Sequence, residues 1–219
     1  MNYLDDLNDV QRSAVTATEG PVMIVAGPGS GKTRVLTYRI AHLIQLGVDP
    51  FRILALTFTN KAAAEMRARI EKICGTEARN LYIGTFHSVF ARILRYEAGK
   101  IGYPSNFTIY DTDDSRSLIK SIVKENSLND NLYKPAVIHN RISAVKNALI
   151  SPEEYAADHN LMADDAASGR PKMGMLYQLY AQRCFMAGAM DFDDLLYKMH
   201  FLLEKFPDVL YKYQNRFRY

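Results

Sequence analysis

Tryptophan is absent from these 219 residues, cysteine occurs twice and proline only eight times. The two cysteines, Cys74 and Cys184, form no C-x-x-C pair. They read as reduced, small, buried side chains of a cytosolic protein rather than as a disulfide framework. The first residues contain no basic segment leading into an apolar core, so no signal peptide is expected. No apolar run reaches membrane-spanning length, and no membrane partner is expected. Charge of one sign is missing as well: 27 Lys and Arg stand against 24 Asp and Glu, a net +3 that by itself does not establish nucleic-acid binding. The aromatic surface comes instead from 14 Tyr and 10 Phe. A hydrophobic fraction of 48% with 23% charged residues is ordinary for a globular chain. The length allows one large domain or two small ones, with a sizeable core.

The most informative segment present is Ala26-Gly27-Pro28-Gly29-Ser30-Gly31-Lys32-Thr33. It follows the apolar run Pro21–Val25, which predicts a short buried strand, and precedes Arg34–Ile44, whose apolar residues fall at helical spacing. Strand, glycine-rich turn and helix in that order make a phosphate cradle. Gly27, Gly29 and Gly31 let the backbone take positive φ and turn its N–H groups inward. A helix starting near Gly31 adds the positive end of its dipole. Lys32 would reach the β- and γ-phosphates and Thr33 would place its hydroxyl on Mg²⁺. The usual pattern has Gly where this chain has Ala26, and one methyl is tolerable there if φ stays negative. The cradle implies a nucleoside triphosphate but not how its energy is used.

The first half alternates strand and helix signals. Ile53–Phe58 predicts a second buried strand. Thr59 or Asn60 can cap a helix from Lys61 to about Cys74, closed by Gly75. Its apolar stripe is Met66, Ile70 and Ile73, with Arg67, Arg69 and Lys72 off it. Leu81–Gly84 predicts a third strand, and a helix follows from about His87 to Ala98. This order argues for an α/β fold, a parallel sheet covered by helices, with ligands gathered at the carboxyl ends of the strands. From Asp111 the chain reads as helix after helix: Arg116–Glu125 capped by Asp113 or Asp114, Pro135–Leu149, a short helix after Ser151-Pro152, and Met175–Ala187. Ala163–Lys172 is expected to be an exposed loop. Residues 106–190 thus read as a helical subdomain inserted into the α/β domain. Asp191-Phe192-Asp193-Asp194 then opens a helix with three carboxylates in its first turn, and a last helix runs from Pro207 to about Arg216. Residues 58–100 hold eight basic side chains against four acidic ones, a local bias toward phosphate that solvated helix faces with i,i+4 pairs would equally produce.

Three further segments narrow the reading. Leu7-Asn8-Asp9-Val10-Gln11 contains an amide whose donor and acceptor suit the N6/N7 edge of adenine; alone, Gln11 reads as a surface residue or helix cap. Thr57–Met66 supplies hydroxyls (Thr57, Thr59), the Asn60 amide and Lys61 for phosphates, and Phe58 can stack on a base. Gly84-Thr85-Phe86-His87-Ser88 repeats that polar-aromatic chemistry. Singly, Phe58 and Phe86 are ordinary core aromatics and His87 a structural histidine; it is their joint placement at strand ends that counts.

Together these segments resemble the UvrD/Rep/PcrA-like family of superfamily 1A DNA helicases, over essentially the whole chain. Leu7–Gln11 is similar to the family's Q motif, Ala26–Arg34 to motif I, Thr57–Met66 to motif Ia and Gly84–Ser88 to motif Ib. Asp191–Leu196 resembles the D-F-D-D-L segment before motif II, and Asn106–Asp111 the start of the helical 1B subdomain. The resemblance implies a RecA-like P-loop NTPase sheet with helices on both faces, formed by 1–105 plus 191–219 and interrupted by an all-helical 1B subdomain at 106–190. It implies ATP and Mg²⁺ as cofactors, with Gln11, Ala26, Gly27, Pro28, Gly29, Ser30, Gly31, Lys32, Thr33 and Arg34 around the nucleotide. Lys32 and Thr33 would be catalytic and Thr33 would face Mg²⁺. Phe58, Thr59, Asn60, Lys61, Thr85, Phe86 and His87 would lie along single-stranded DNA, and single-strand/duplex junctions would be partners. The family continues with a D-E-x-Q-D motif and a second RecA-like domain that brings an arginine finger; neither is found in this sequence, where Asp191, Asp193 and Asp194 are the nearest acidic candidates. The expectation is therefore the ATP- and DNA-binding part of a 3′–5′ helicase, with little ATPase and no unwinding by itself. The competing readings are a non-catalytic DNA-binding module and the motor of a helicase-nuclease subunit.

Overall fold

The structure, a computed structural model, describes residues 3–219, except the side chains of Glu77 and Arg79. Those two belong to the charged stretch at 58–100 and lie outside the described residues. In chain order the helices and strands are α1 (Asp9–Thr16), α2 (Lys32–Gln45), β1 (Leu54–Thr57), α3 (Asn60–Cys74), β2 (Tyr82–Thr85) and α4 (Phe86–Glu97). Then come β3 (Thr108–Tyr110), α5 (Thr112–Glu125), α6 (Pro135–Asn147), α7 (Pro152–Ala157), α8 (His159–Ala167), α9 (Met173–Met186), β4 (Ala189–Asp191), α10 (Phe192–Lys205) and α11 (Pro207–Arg216). The chain divides into two compact units, Met1–Val89 with Tyr211–Tyr219, and Phe90–Leu210. These bounds differ from the division at 105/106 and 190/191 that the resemblance implies, because β3, β4 and α10 group with the helices they connect.

In the first unit β1 and β2 pair in parallel, with Thr57 opposite Thr85, so both strands end at the same level. Ile40, Leu43 and Ile44 of α2, Met66 and Ile70 of α3, and Ile53, Ala55, Leu81 and Ile83 of the strand segments form its core. Met66 and Ile70 are buried as the helical stripe requires, while Ile73 is half-buried. The expected strand at Pro21–Val25 is not formed, and this apolar run faces solvent: Met23 is 87% and Val25 86% exposed. On one side β1 is bonded to β2, and on the other the Arg52 carbonyl accepts from the Arg218 and Tyr219 amides while the Leu54 amide donates to the Tyr219 carbonyl. Between Gly20-Pro21 and Leu54–Leu56 lies a cleft of about 560 Å³. The apolar run joins neither sheet.

The second unit is mainly helical. Its core gathers Ile119, Ile122 and Val123 from α5, Ile138, Ile142 and Val145 from α6, Tyr155 from α7, and Leu176, Tyr177 and Tyr180 from α9. Deleting one such side chain to Ala costs about 2–5 kcal/mol, because the site collapses only in part. Contrary to an all-helical reading, residues 106–190 contain β3 and end within β4, which pair in parallel. Three-residue strands are too short to register as a period-two pattern. Asp111, not Asp113 or Asp114, is the N-cap of α5; Asp114 is the reciprocal partner of its capping box. The expected loop at Ala163–Lys172 is half helix, since α8 reaches Ala167 and buries Asp165. Cys184 is buried, but Cys74 is only half-buried, with its Sγ 3.8 Å from the Ala41 carbonyl.

Candidate nucleotide and nucleic-acid site

The glycine-rich loop leads into α2 through Gly31, which occupies the left-handed region at φ 87°. Gly29 does the same at φ 76°, whereas Gly27 does not adopt positive φ, contrary to expectation. The first N–H groups of α2 have no partner within the helix. No side chain caps that N-terminus, so its donors and dipole are available to an anion. Space above the loop is open: a Cβ built on Gly27 or Gly29 meets nothing within 4 Å. Such a cradle fits a phosphate chain.

Lys32 is exposed and folds back across this loop, its Nζ donating to the carbonyls of Ala26 at 2.7 Å and Gly27 at 2.8 Å. An incoming phosphate would exchange those two neutral acceptors for charged ones, which are stronger. Ser30 donates its hydroxyl to the Gly27 carbonyl at 2.7 Å and tightens the turn. Pro28 is exposed at its crest. Thr33 is exposed in the first turn of α2, and the Arg34 guanidinium stands 5.5 Å from the Tyr38 ring centroid.

Gln11 has two tasks. It completes the capping box of α1, its backbone N–H donating to Asn8 Oδ1 at 2.9 Å, and its Nε2 donates to the Ser30 carbonyl at 3.0 Å. The cap reading is realised, and the same side chain also reaches the glycine-rich loop.

The carboxyl ends of β1 and β2 place the other two segments side by side. Thr59 caps α3 by accepting the Ala62 N–H at 3.1 Å, and this leaves Phe58 outside both strand and helix, 93% exposed. Phe86 opens α4, its ring 5.9 Å from that of Phe58 and tilted by 43°. Thr85 accepts the Ser88 N–H at 3.2 Å and Ser88 donates to the Thr85 carbonyl at 2.9 Å, which fixes the start of α4 beside His87. Gly84 is needed for this approach: a Cβ there would sit 2.5 Å from Ser88 Oγ. Asn60 and Lys61 are exposed in the first turn of α3.

A cleft of about 280 Å³ joins the two chemistries, lined by Lys32, Thr33 and Leu36 on one side and Thr57, Phe58 and Thr59 on the other. Leu36 was not anticipated as a wall of the site, although its place one turn after Thr33 on an otherwise amphipathic helix is the signal. Arg67 was read as an off-stripe surface cation; its guanidinium instead donates to the Ile83 carbonyl at 3.1 Å and braces β2 against α3.

The acidic segment at the start of α10 is otherwise engaged. Asp191 and Asp194 are buried against Lys146, and Asp193 accepts from the Asn147 amide at 3.1 Å. Asp191 is the N-cap, so two carboxylates and not three stand in the first turn of α10. Among the described residues no group of three or more His, Cys, Asp or Glu side chains could hold a metal ion, and no helix is long and apolar enough to cross a membrane.

The model of the UvrD/REP helicase N-terminal domain matches residues 7–219. Curated relatives include proteins named ATP-dependent DNA helicase PcrA. The one from Staphylococcus epidermidis is 43% identical over 221 residues, covering 100% of this chain and 30% of the relative. That from Bacillus subtilis is 43% identical over 225 residues with the same coverage, and that from Leuconostoc citreum 45% over 215 residues, covering 97% of this chain and 28% of the relative. The chain thus spans about 30% of the length of the relatives it matches. It belongs to the UvrD/REP helicase N-terminal domain family.

Proposed function

We propose that this chain is the ATP- and single-stranded-DNA-binding part of an ATP-dependent 3′–5′ DNA helicase of the PcrA/UvrD type, acting at single-strand/duplex junctions. The cleft shared by Lys32 and Thr33 with Thr57, Phe58 and Thr59 carries this reading. A nucleotide loop and a base-stacking aromatic that meet in one cleft can pass a change at the phosphates to the strand being held. ATP supplies phosphates to the loop backbone, α2 N-terminus and Lys32, while Gln11 and Arg34 stand toward the base. Thr33 supplies one hydroxyl for Mg²⁺. Phe58 and Phe86 offer π-faces to successive bases, and Asn60, Lys61, Thr85 and His87 offer polar groups to the backbone. RecA-like architecture is part of this proposal, with residues 1–105 and 191–219 as the nucleotide-binding domain and 106–190 as its insert.

The sequence has no D-E-x-Q-D motif, and Asp191 and Asp194 are held by Lys146. The expected behaviour of the 219 residues is therefore binding without appreciable turnover. The test is binding of a fluorescent ATP analogue and of labelled oligo-dT, with DNA-stimulated ATPase measured alongside. Nucleotide binding that Lys32→Ala abolishes supports the proposal. ATP affinity unchanged by Lys32→Ala overturns the site, and DNA-stimulated turnover above the Lys32→Ala control overturns the expected inactivity.

A further inference from the structure

Lys146, on the last turns of α6, is among the most buried charged side chains described, with 2% of its side chain exposed. Its Nζ lies 2.7 Å from Asp191 Oδ2 and 2.9 Å from Asp194 Oδ1. The same two carboxylates close the capping box of α10: the Asp194 N–H donates to Asp191 Oδ1 at 2.7 Å, and the Asp191 N–H to Asp194 Oδ2 at 3.2 Å. From α9, the Tyr180 hydroxyl donates to Asp191 Oδ2 at 2.8 Å, and Lys146 stands 5.1 Å from the Tyr180 ring centroid. Four elements (α6, α9, β4 and α10) thus converge on one ammonium.

We propose that Lys146 is the key of an electrostatic latch that seats α6 and α9 on the β4–α10 junction, with Asp191 as the anion the latch cannot lose. The asymmetry is geometric. Asp191 accepts from Lys146, Tyr180 and the Asp194 amide; Asp194 accepts from Lys146 and the Asp191 amide. One cation facing two buried carboxylates leaves an excess negative charge that the interior tolerates only while Lys146 is present. The titratable groups facing the cluster are Lys146 from α6, Tyr177, Tyr180 and Cys184 from α9, Asp191 from β4, Asp194, Tyr197 and Lys198 from α10, and Tyr103 from the segment before β3. Burial pushes the Asp191 carboxyl up, but the Lys146 charge and hydrogen bond hold it below the usual range. At Asp194 burial wins over Lys146, with help from the Asp191 charge, and the carboxyl is raised.

Removing the cation changes the pH response. In the wild-type chain the lowered Asp191 contributes stability that is complete above the ordinary carboxylate value and is lost on acidification, and the raised Asp194 opposes it. In Lys146→Met both carboxylates are raised, so stability is best at low pH and falls as pH rises through their folded values. The experiment follows urea unfolding of the full chain between pH 4.5 and 8 on the order of half-unit steps, for wild type, Lys146→Met and Lys146→Met/Asp191→Asn. The expected result at the upper end is a folding equilibrium constant lowered about a hundredfold or more in Lys146→Met, a deficit that shrinks steadily toward low pH, and recovery in the double variant. A deficit independent of pH, or no recovery in the double variant, overturns the latch. Should Lys146→Met not fold at the upper end, Asp191→Asn against Asp194→Asn decides: the proposal requires the larger loss from Asp191→Asn, and equal losses overturn it.

Discussion

The Gln11 amide nitrogen donates to the Ser30 carbonyl at 3.0 Å, so α1 is tied directly to the glycine-rich loop. A base seated beside α1 would then feel the state of the loop. If Gln11 reads adenine, Gln11→Ala should weaken ATP by roughly 1 kcal/mol, the size of one net hydrogen bond, and remove the preference for ATP over GTP. Competition between the two nucleotides against a fluorescent analogue measures this. A wild-type chain that binds ATP and GTP alike would sink the adenine role and leave Gln11 as a helix cap.

Gly31 and Gly29 separate backbone strain from crowding. Both need the left-handed region, but a Cβ on Gly31 would sit 2.8 Å from Gln11 Nε2, while one on Gly29 meets nothing within 4 Å. Gly29→Ala should cost only the conformational term, about 1–2 kcal/mol. Gly31→Ala adds displacement of Gln11 and should lose more nucleotide affinity for a similar loss of stability. Paired melting and nucleotide titrations check the order; equal affinities for the two variants would count against the Gln11–loop coupling.

The local geometry of the candidate site was legible in the sequence where its signals are local. Three glycines and a Lys-Thr pair between an apolar run and a helical pattern specify a turn whatever surrounds it, and Thr59 is an N-cap by its own hydroxyl. Fates decided by partners were not legible. Pro21–Val25 has the composition of a buried strand, yet strand formation needs a neighbour, and none of the described segments pairs with it. Lys146 falls within the helix expected over Pro135–Leu149 without any signal of its own; only the fold brings it to Asp191, 45 residues away. The same long-range pairing engages Asp191 and Asp194, while Asp193 accepts from the Asn147 amide.

Phe58 offers a test in which stability and binding come apart. At 93% exposure its ring contributes little to folding, so Phe58→Ala should melt like the wild type. Base stacking is worth roughly 1–3 kcal/mol per base, so oligo-dT affinity should fall about 5- to 150-fold. Its salt dependence should stay the same, since no charge is removed. Lys61→Ala should do the reverse, weakening binding modestly and lowering the salt slope by about 1. An unchanged affinity in Phe58→Ala would remove the stacking role.

The tyrosines of the second unit predict an alkaline signature. The Tyr155 hydroxyl donates to Asp165 Oδ2 and accepts from Arg141 Nε at 2.9 Å. Burial first and the Asp165 hydrogen bond second push its phenol up to about 12, and burial likewise raises Tyr103, Tyr177 and Tyr180. Unfolded, each ionises near 10. An acid raised by folding contributes stability that is complete below its unfolded value and is lost as pH rises through its folded value. The chain should therefore lose stability steeply from about pH 10 upward, and tyrosinate absorbance of the folded protein should lag that of the urea-unfolded protein. Tyr155→Phe should remove the step at about 12 and cost roughly 1–3 kcal/mol at neutral pH, the penalty for leaving a buried polar partner unsatisfied. All 14 tyrosines titrating together near the ordinary value in the folded chain would refute the assignment.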